Sequence, residues 1–268
     1  MSTVDPARAR GFDAWADDYD RFRPGYPDAL FDAIAARLAL PDHPLVVDLG
    51  AGTGHASLTM AERGWRVTAV EPGRPMLDML RAAATDAGLV VSTVQAGAEA
   101  TGLDPSSADL ATAAQAFHWF DKPAALTEMA RILKPGGGLA LFWNVRDRQR
   151  SAFLADYEAL LERSVRATDS GRYEWEGPDA TRAAIEAHPA AFEAPELVQL
   201  EQEVSMTAEE FIGMAFTASY VRAGLSPEEQ DRFRLDLAAT LGRHGLNDGT
   251  PFPVPYRIDL WIARRRGS

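Results

Sequence analysis

A short apolar run that ends in an acid and three alternating glycines constrains the fold of this chain more than any other stretch. Residues 45–54 read LVVDLGAGTG, so Asp48 stands two positions before the first glycine, Gly50. An apolar run of this length predicts a buried strand, and the glycines predict a tight turn whose backbone approaches a ligand closely. The sequence therefore predicts a nucleotide-binding type of loop at the carboxyl end of a parallel strand.

The spacing of the glycines separates two classes of such loops. A dinucleotide loop carries G-x-G-x-x-G and an acid about 20 residues later that binds ribose. Here glycines stand at 50, 52 and 54, and position 55 is His. The carboxylate of Asp48 would repel a pyrophosphate, but it can accept hydrogen bonds from an ammonium group or from the loop's own amides. We therefore expect a nucleoside with a cationic tail rather than a phosphate chain.

Apolar runs alternate with helical patterns along most of the chain. The expected strands are residues 45–49, 66–70, 90–94, 108–113, 139–143, 196–206 and 254–263. Strands that alternate with helices form a parallel sheet with right-handed crossovers, and the string KPGGG is expected to break the chain before the fifth strand. Ligands bind such sheets beyond the carboxyl ends of the strands, where Asp48, Glu71, Ala98 and Gln115 fall.

Four segments together resemble the class I S-adenosylmethionine-dependent methyltransferases. The string DLGAGTG at 48–54 is similar to the first motif of that family, and Glu71 follows at the end of the next expected strand. The string QAGAE at 95–99 is similar to the family's G-x-A-E segment, but Gly97 has no side chain to receive the adenine amino group.

Two further strings point to a subset of the same family. RPGYP at 23–27 and QAFHW at 115–119 occur together in certain small-molecule methyltransferases, and the whole resemblance spans about residues 12–143. It implies an α/β, Rossmann-like sheet of seven mostly parallel strands, the last one antiparallel, with helices on both faces. It also implies a methyltransferase domain of residues 1–146 and 196–268. The aromatic residues of 1–26 recur at helical spacing, which fits a helix packed on the core or a lid over the cofactor, and the resemblance favours the lid. Residues 147–195 interrupt the alternation of strands and helices, so we expect them to form an inserted helical cap over the substrate.

The resemblance assigns the candidate cofactor contacts. The glycine loop would hold the methionine part of S-adenosylmethionine, Glu71 the ribose, and the residues after it, with 97–99, the adenine. The full predicted set is Tyr19, Arg23, Asp48, Gly50, Ala51, Gly52, Gly54, Glu71, Pro72, Gly97, Ala98, Glu99, Gln115, Phe117 and His118. The product would be S-adenosylhomocysteine.

Roles near the reacting centre stay open at the level of sequence. His118 is the candidate general base, because an ordinary His titrates near pH 6.5; alternatively, it only walls the methionine and sulfonium by packing. Arg23 would pair with a carboxylate or extend to the surface. The candidate acceptor contacts are Tyr26, Trp119, Asn144 and Arg146.

Composition excludes several other functions. The net charge of −12 disfavours a nucleic-acid substrate, and the absence of cysteine excludes disulfides and thiolate metal sites. Apolar stretches are too short to span a bilayer, and histidines lack metal-ligand spacing, so we expect no membrane contact and no metal. The simplest expectation is a soluble cytoplasmic protein, monomeric or homodimeric, that acts on a small molecule.

Three functions are compatible with these patterns. The leading one is methyl transfer from S-adenosylmethionine to a small molecule. A second is a non-methylating protein that binds the same cofactor, either a regulator or a fold recruited for cyclisation. An NAD-dependent dehydrogenase is a third, but the glycine spacing and Asp48 count against it.

Overall fold

The computed structural model describes residue 18 and residues 21–166 and 177–267. The strands are Leu45–Leu49 (β1), Arg66–Val70 (β2), Val91–Val94 (β3), Ala108–Ala114 (β4), Leu133–Arg146 (β5), Glu196–Met206 (β6) and Phe252–Arg264 (β7). The helices are Asp28–Leu38 (α1), His55–Glu62 (α2), Arg74–Asp86 (α3), Lys122–Ile132 (α4), Ala152–Arg166 (α5), Gly177–Glu186 (α6), Ala208–Phe216 (α7), Ser219–Arg222 (α8) and Pro227–Arg243 (α9). A 3₁₀ turn occupies Phe117–Trp119.

The strands form one seven-stranded sheet in the order β3-β2-β1-β4-β5-β7-β6. Neighbours from β3 through β5 pair in parallel, whereas β7 runs antiparallel between β5 and β6. The predicted α/β sheet with an antiparallel last strand is therefore confirmed. Because the strand order reverses beside β1, the residues that follow β1 face the crevice where such sheets bind ligands.

Helices cover both faces of the sheet, as predicted. On one face, α1 and α2 bury Phe31, Ile34 and Met60 against β1, β4 and β5. On the other face, α4 and α6 bury Leu126 and Ile185 against the same strands. A strand with apolar neighbours on both sides is buried throughout, which explains the continuous apolar run before Asp48.

The fifth strand corrects one expectation. It begins at Leu133, not at residue 139, and it includes the string that was expected to break the chain. Leu133 pairs with Ala108 and Gly138 with Leu110, so the register shifts between them. Gly136 adopts a φ of +78°, and a side chain on Gly137 would approach the carbonyl oxygen of Lys134 to 2.9 Å. The glycines therefore form a bulge inside the strand instead of ending it.

Four helices, α5 and α7 to α9, pack together at one end of the sheet and are called the helical cap here. They share an apolar cluster with the carboxyl end of β6, at Met206, and with the amino end of β7, at Phe252. Strand β5 ends at Arg146, which pairs with Tyr256. The antiparallel strand β7 begins four residues earlier, at Phe252, and so extends beyond the end of β5. The cap therefore lies beyond the carboxyl end of β5, at the same edge of the sheet as the crevice.

The predicted insertion at 147–195 divides between two places. Helix α5 belongs to the helical cap and packs against α9, whereas α6 packs against α4 and β7. Most of the cap comes instead from the connection between β6 and β7. No helix in the described ranges has the length and apolarity to cross a membrane.

Candidate active site

The glycine loop after β1 adopts the left-handed backbone that its glycines predict. Gly50, Gly52 and Gly54 have φ values of +67°, +57° and +102°. A side chain on Gly50 would meet Ala116 Cβ at 2.6 Å, and one on Gly54 would meet Leu80 Cγ at 2.7 Å. A Cβ on Gly52 would contact nothing within 4 Å. Two glycines thus allow close packing of the loop, and the third presents bare backbone to open space.

Asp48 lies beneath this loop and does not face it. Its carboxylate is fully buried and accepts hydrogen bonds from Ser57 Oγ at 2.6 Å and Thr112 Oγ1 at 2.9 Å. Burial raises the pKa of Asp48 to about 6, although the two hydroxyl groups oppose the shift. The structure therefore corrects the expected direct ligand contact, since both carboxylate oxygens instead tie β1 to α2 and β4.

Glu71 joins the glycine loop to the next strand. Its carboxylate accepts hydrogen bonds from the backbone amide of Gly52 at 3.0 Å and from that of Gly73 at 2.9 Å. Glu71, which was predicted to bind the ribose, thus borders the open face of Gly52. Each carboxylate oxygen has two acceptor sites, so the amides leave further acceptor capacity. Pro72, between these residues, is exposed.

Residues 95–99, which were predicted to border the adenine, follow β3 at the same edge of the sheet. Gln95 Nε2 donates to the carbonyl oxygen of Pro72 at 3.2 Å, which ties the loop after β3 to the loop after β2. The side chain of Ala98 is buried in the core, and Glu99 Oε1 accepts from the amide of Asp121 at 3.0 Å. Only the backbone of Gly97 and Ala98 is therefore suited to line a ligand space here.

The segment after β4 turns sharply at Gln115, whose φ of +55° is rare for a residue other than glycine. Its Nε2 donates to the backbone oxygen of Asn144 at 3.2 Å, which links β4 to β5 at the crevice. Strained backbone of this kind concentrates at functional sites. Phe117 is fully buried and packs edge-on against Phe120, so its expected cofactor contact is corrected to a core position.

His118 is held as a neutral imidazole. Trp143 Nε1 donates to His118 Nδ1 at 3.2 Å, so the proton of the neutral ring lies on Nε2. Burial, with the nearby charges of Arg23 and Lys122, lowers the pKa of His118 to about 3. A general base needs a pKa near the working pH, so this geometry favours the packing role over the catalytic one. The ring of Trp119 lies 5.1 Å from that of His118.

Residues 21–26, called the N-terminal strap here, cross between the helical cap and the sheet. Arg23 Nε donates to Thr217 Oγ1 at 2.8 Å, and Asn144 Nδ2 donates to the carbonyl oxygens of Pro24 and Gly25. Asn144 therefore fixes the strap, which is a different role from the predicted acceptor contact. Tyr26 packs edge-on against Phe142 at 5.0 Å. Tyr19 lies outside the described residues.

Arg146, at the end of β5, faces the helical cap. Its Nε donates to Glu158 Oε1 at 3.0 Å, and its guanidinium lies 5.1 Å from the ring centre of Tyr157. The sequence identified Arg146 but not the tyrosines around it. Tyr157 recurs at helical spacing with the apolar residues of α5. A tyrosine on that apolar face was the one local feature of the sequence that could have indicated a buried hydroxyl group here. In the described ranges, no group of three or more His, Asp or Glu side chains is placed to bind a metal.

Comparisons with known proteins point in one direction. The model of a family described as a methyltransferase domain matches residues 47–141. An uncharacterised methyltransferase of Mycobacterium bovis is 44% identical over 131 residues, which are 49% of this chain and 51% of that protein. The chain thus spans about half the length of the curated relatives it matches.

Solved structures extend the likeness over the whole chain. One from Anaeromyxobacter dehalogenans, described as a type II methyltransferase, is 30% identical with a TM-score of 0.70, covering 92% of this chain and 100% of that one. A Haemonchus contortus phosphoethanolamine N-methyltransferase, solved with phosphomonomethylethanolamine and S-adenosylhomocysteine, is 15% identical with a TM-score of 0.57. Its match covers 100% of this chain and 61% of that one, and it shows the shared fold alone.

Proposed function

The chain belongs to the class I S-adenosylmethionine-dependent methyltransferases, and on that premise we propose that it methylates a small organic molecule in the crevice after β1, β2 and β4. The observation that carries this proposal is the position of Glu71. Its carboxylate borders the open face of Gly52 and is held there by two backbone amides. That arrangement suits a ribose that approaches bare backbone.

The residues of the crevice fit a nucleoside with a cationic sulfur. Glu71 would receive the ribose hydroxyl groups, the backbone at Gly97 and Ala98 would border the adenine, and the glycine loop would hold the methionine part. The glycines at 50, 52 and 54 depart from the G-x-G-x-x-G spacing of a dinucleotide loop. When bound, S-adenosylmethionine supplies a methyl group activated by a positively charged sulfur.

The chain's own contribution is orientation and exclusion of water. His118 holds its proton on Nε2 and accepts from Trp143 on Nδ1, so it is poorly placed to remove a proton. The strap and the helical cap border the crevice and favour a dry, oriented encounter. We therefore expect in-line attack by an acceptor atom that already has a lone pair available.

Isothermal titration tests the proposal directly. The full chain is titrated with S-adenosylmethionine, S-adenosylhomocysteine and NAD. We expect the first two to bind and NAD not to bind. Binding of S-adenosylhomocysteine weakened by about 1–3 kcal/mol in Glu71→Ala, with unchanged binding in the surface variant Glu62→Ala, would assign the site. Binding of NAD alone would replace the proposal with a dehydrogenase.

A second candidate, cofactor binding without methyl transfer, is separated by product analysis. Formation of S-adenosylhomocysteine with any small-molecule acceptor supports the enzyme. Tight cofactor binding with no such product across a broad panel of acids, amines and phenols would favour a regulator or cyclase.

A further inference from the structure

A group of arginine and tyrosine side chains lies where β5 and β7 meet the helical cap. Arg146 pairs directly with Tyr256 across the two strands, and opposite residues in an antiparallel pair point to the same face. On that face, Arg146 Nη2 also contacts Tyr220 Oη of α8 at 3.4 Å. With Tyr157 of α5 and Arg23 of the strap, these residues form what we call the arginine–tyrosine cluster.

Two hydroxyl groups of the cluster have no hydrogen-bond partner in the described part of the chain. They are Tyr157 Oη and Tyr256 Oη, and both side chains are at least 98% buried. A buried polar atom without a partner costs about 1–3 kcal/mol, so two of them beside one arginine require an explanation. Burial raises the pKa of both phenols, so each stays protonated and able to donate at neutral pH.

The charges of the cluster favour an anion. Among the described residues that act on Tyr256, two guanidinium groups, those of Arg23 and Arg146, accompany one carboxylate, that of Glu158, although the net charge of the chain is −12. Arg146 Nε donates to Glu158, whereas the hydrogen-bond partner of its Nη1 within the described ranges is Met214 Sδ, at 3.9 Å. Its side chain is 16% exposed and therefore not fully enclosed.

The cluster lies next to the crevice along β5. Asn144, two residues before Arg146 on β5, accepts at its backbone oxygen from Gln115 Nε2 in the crevice. The positive charge of Arg23 lowers the pKa of His118 and also opposes the upward shift of the pKa of Tyr256, so this guanidinium lies near a residue of each site. A small molecule held at Arg146 would therefore extend toward the reacting centre.

We propose that the arginine–tyrosine cluster binds a carboxylate of the methyl acceptor, so that the acceptor is a small organic acid. This inference rests on the proposed function. Arg146 supplies the charge, and the hydroxyl groups of Tyr157 and Tyr256 donate to the carboxylate oxygens. Hydrogen bonds to a charged group are the strong ones, which makes an acid far better than its amide at this site.

Binding to defined acids tests the proposal without knowledge of the true acceptor. The full chain, saturated with S-adenosylhomocysteine, is titrated with hexanoate, benzoate, phenylacetate and succinate, each beside its carboxamide, and with inorganic phosphate. We expect at least one acid to bind about tenfold or more tightly than its amide. Equal binding of acids and amides, no binding of any acid, or tighter binding of phosphate than of every acid would each overturn the carboxylate assignment.

Two variants separate recognition from a structural role. Tyr256→Phe removes only a hydroxyl that has no hydrogen-bond partner among the described residues, so acid affinity should fall about tenfold while the melting temperature does not fall. Glu158→Gln releases Arg146 from its competitor, so acid affinity should rise severalfold. Glu201→Gln, which removes the carboxylate paired with Arg150 at the surface, is the matched control and should change nothing. Unchanged acid affinity in both Tyr256→Phe and Glu158→Gln would refute the cluster's role.

The same titrations keep this inference distinct from the proposed function. If S-adenosylhomocysteine binds and the acids do not, the inference fails and the methyltransferase proposal stands. If S-adenosylhomocysteine does not bind, the methyltransferase proposal fails, and the acids are titrated against the chain alone. Acid binding that responds to Tyr256→Phe then still supports the cluster as a carboxylate site, and its absence overturns it.

Discussion

The glycine-loop crevice and the arginine–tyrosine cluster use different kinds of group, although they share one edge of the sheet. The crevice presents mainly the backbone of the glycine loop, together with the carboxylate of Glu71, which the amides of Gly52 and Gly73 hold in place. The cluster presents long side chains from β5, β7, two cap helices and the strap. A backbone site depends on left-handed conformations that favour glycine and on close packing that a Cβ atom would prevent, whereas a side-chain site loses one contact with each substitution. Substitutions should therefore abolish the first and tune the second.

The largest effect should follow Gly50→Val. A Cβ at this position would overlap Ala116 Cβ at 2.6 Å, and the left-handed backbone adds about 1–2 kcal/mol of strain. The loop must then move, and we expect affinity for S-adenosylhomocysteine to fall about 100-fold or more, measured by isothermal titration. Gly88→Val is the control, since Gly88 has a φ of +69° with nothing within 4 Å of its Cβ position. Unchanged affinity in Gly50→Val would show that cofactor binding does not depend on the backbone of the glycine loop.

Two buried titratable groups should oppose each other in the pH dependence of stability. The folded protein retains the Asp48 proton up to about pH 6, whereas the unfolded chain releases it near 3.8, so this group's contribution declines by about 3 kcal/mol as the pH rises between those values. His118 has the opposite sign. Its folded pKa of about 3 lies below the ordinary 6.5, so stability falls as the pH drops below 6.5. Its partial exposure reduces that loss to the order of 1 kcal/mol at pH 5.

Single substitutions should separate the two contributions. Asp48→Asn removes the group that favours folding in acid, so the variant should lose more stability than the wild type between pH 7 and pH 4.5. His118→Gln should shift the profile in the opposite direction. Urea unfolding across this range measures both slopes. Parallel profiles for Asp48→Asn and the wild type would show that Asp48 is not the buried acid described here.

The sequence predicted the crevice better than the cluster for a physical reason. A buried parallel strand, a glycine turn and an acid at the next strand end are local patterns, so β1, β2 and β6 begin and end where they were expected. The burial of Asp48 was not predictable, because it depends on Ser57 and Thr112, which approach only in the folded sheet. The bulge in β5 was missed since its glycines also read as a chain break.

The cluster left almost no local pattern to detect. Arg146 and Tyr256 meet only through strand pairing, and Tyr157 and Tyr220 come from separate helices. The cap itself was expected at 147–195, but much of it comes from residues 208–243, because α7 to α9 share the apolar cluster of α5. Side-chain sites assembled from distant segments require tertiary contacts that a periodic pattern does not encode.

A smaller effect should sharpen the role of Glu71. Glu71→Ala should weaken binding of S-adenosylhomocysteine by about 1–3 kcal/mol, the usual contribution of a hydrogen bond to a charged group. Glu71→Gln should lose less, because one amide oxygen still accepts from the loop. Thermal unfolding of both variants measures the stability that each loses with its hydrogen bonds to the backbone amides of Gly52 and Gly73. Wild-type affinity in Glu71→Ala would contradict the ribose assignment.

The smallest effect concerns the N-terminal strap, which is bonded to Thr217 beside the helical cap and to Asn144 of β5. Phe22 packs on Gly213 of α7 so closely that a side chain there would lie 2.6 Å from the ring. Gly213→Ala should displace Phe22 and speed tryptic cleavage after Arg21 severalfold, although alanine favours the helix by about 0.5–1 kcal/mol. Gly242→Ala gains the same helical preference, but its nearest neighbour is the movable end of Asn247 at 3.2 Å, so cleavage after Arg21 should not change. Equal cleavage rates in both variants would mean that the strap does not depend on this contact. If only Gly213→Ala is cleaved faster, and it keeps its affinity for S-adenosylhomocysteine but binds acids more weakly, the strap supports the arginine–tyrosine cluster and not the glycine-loop crevice.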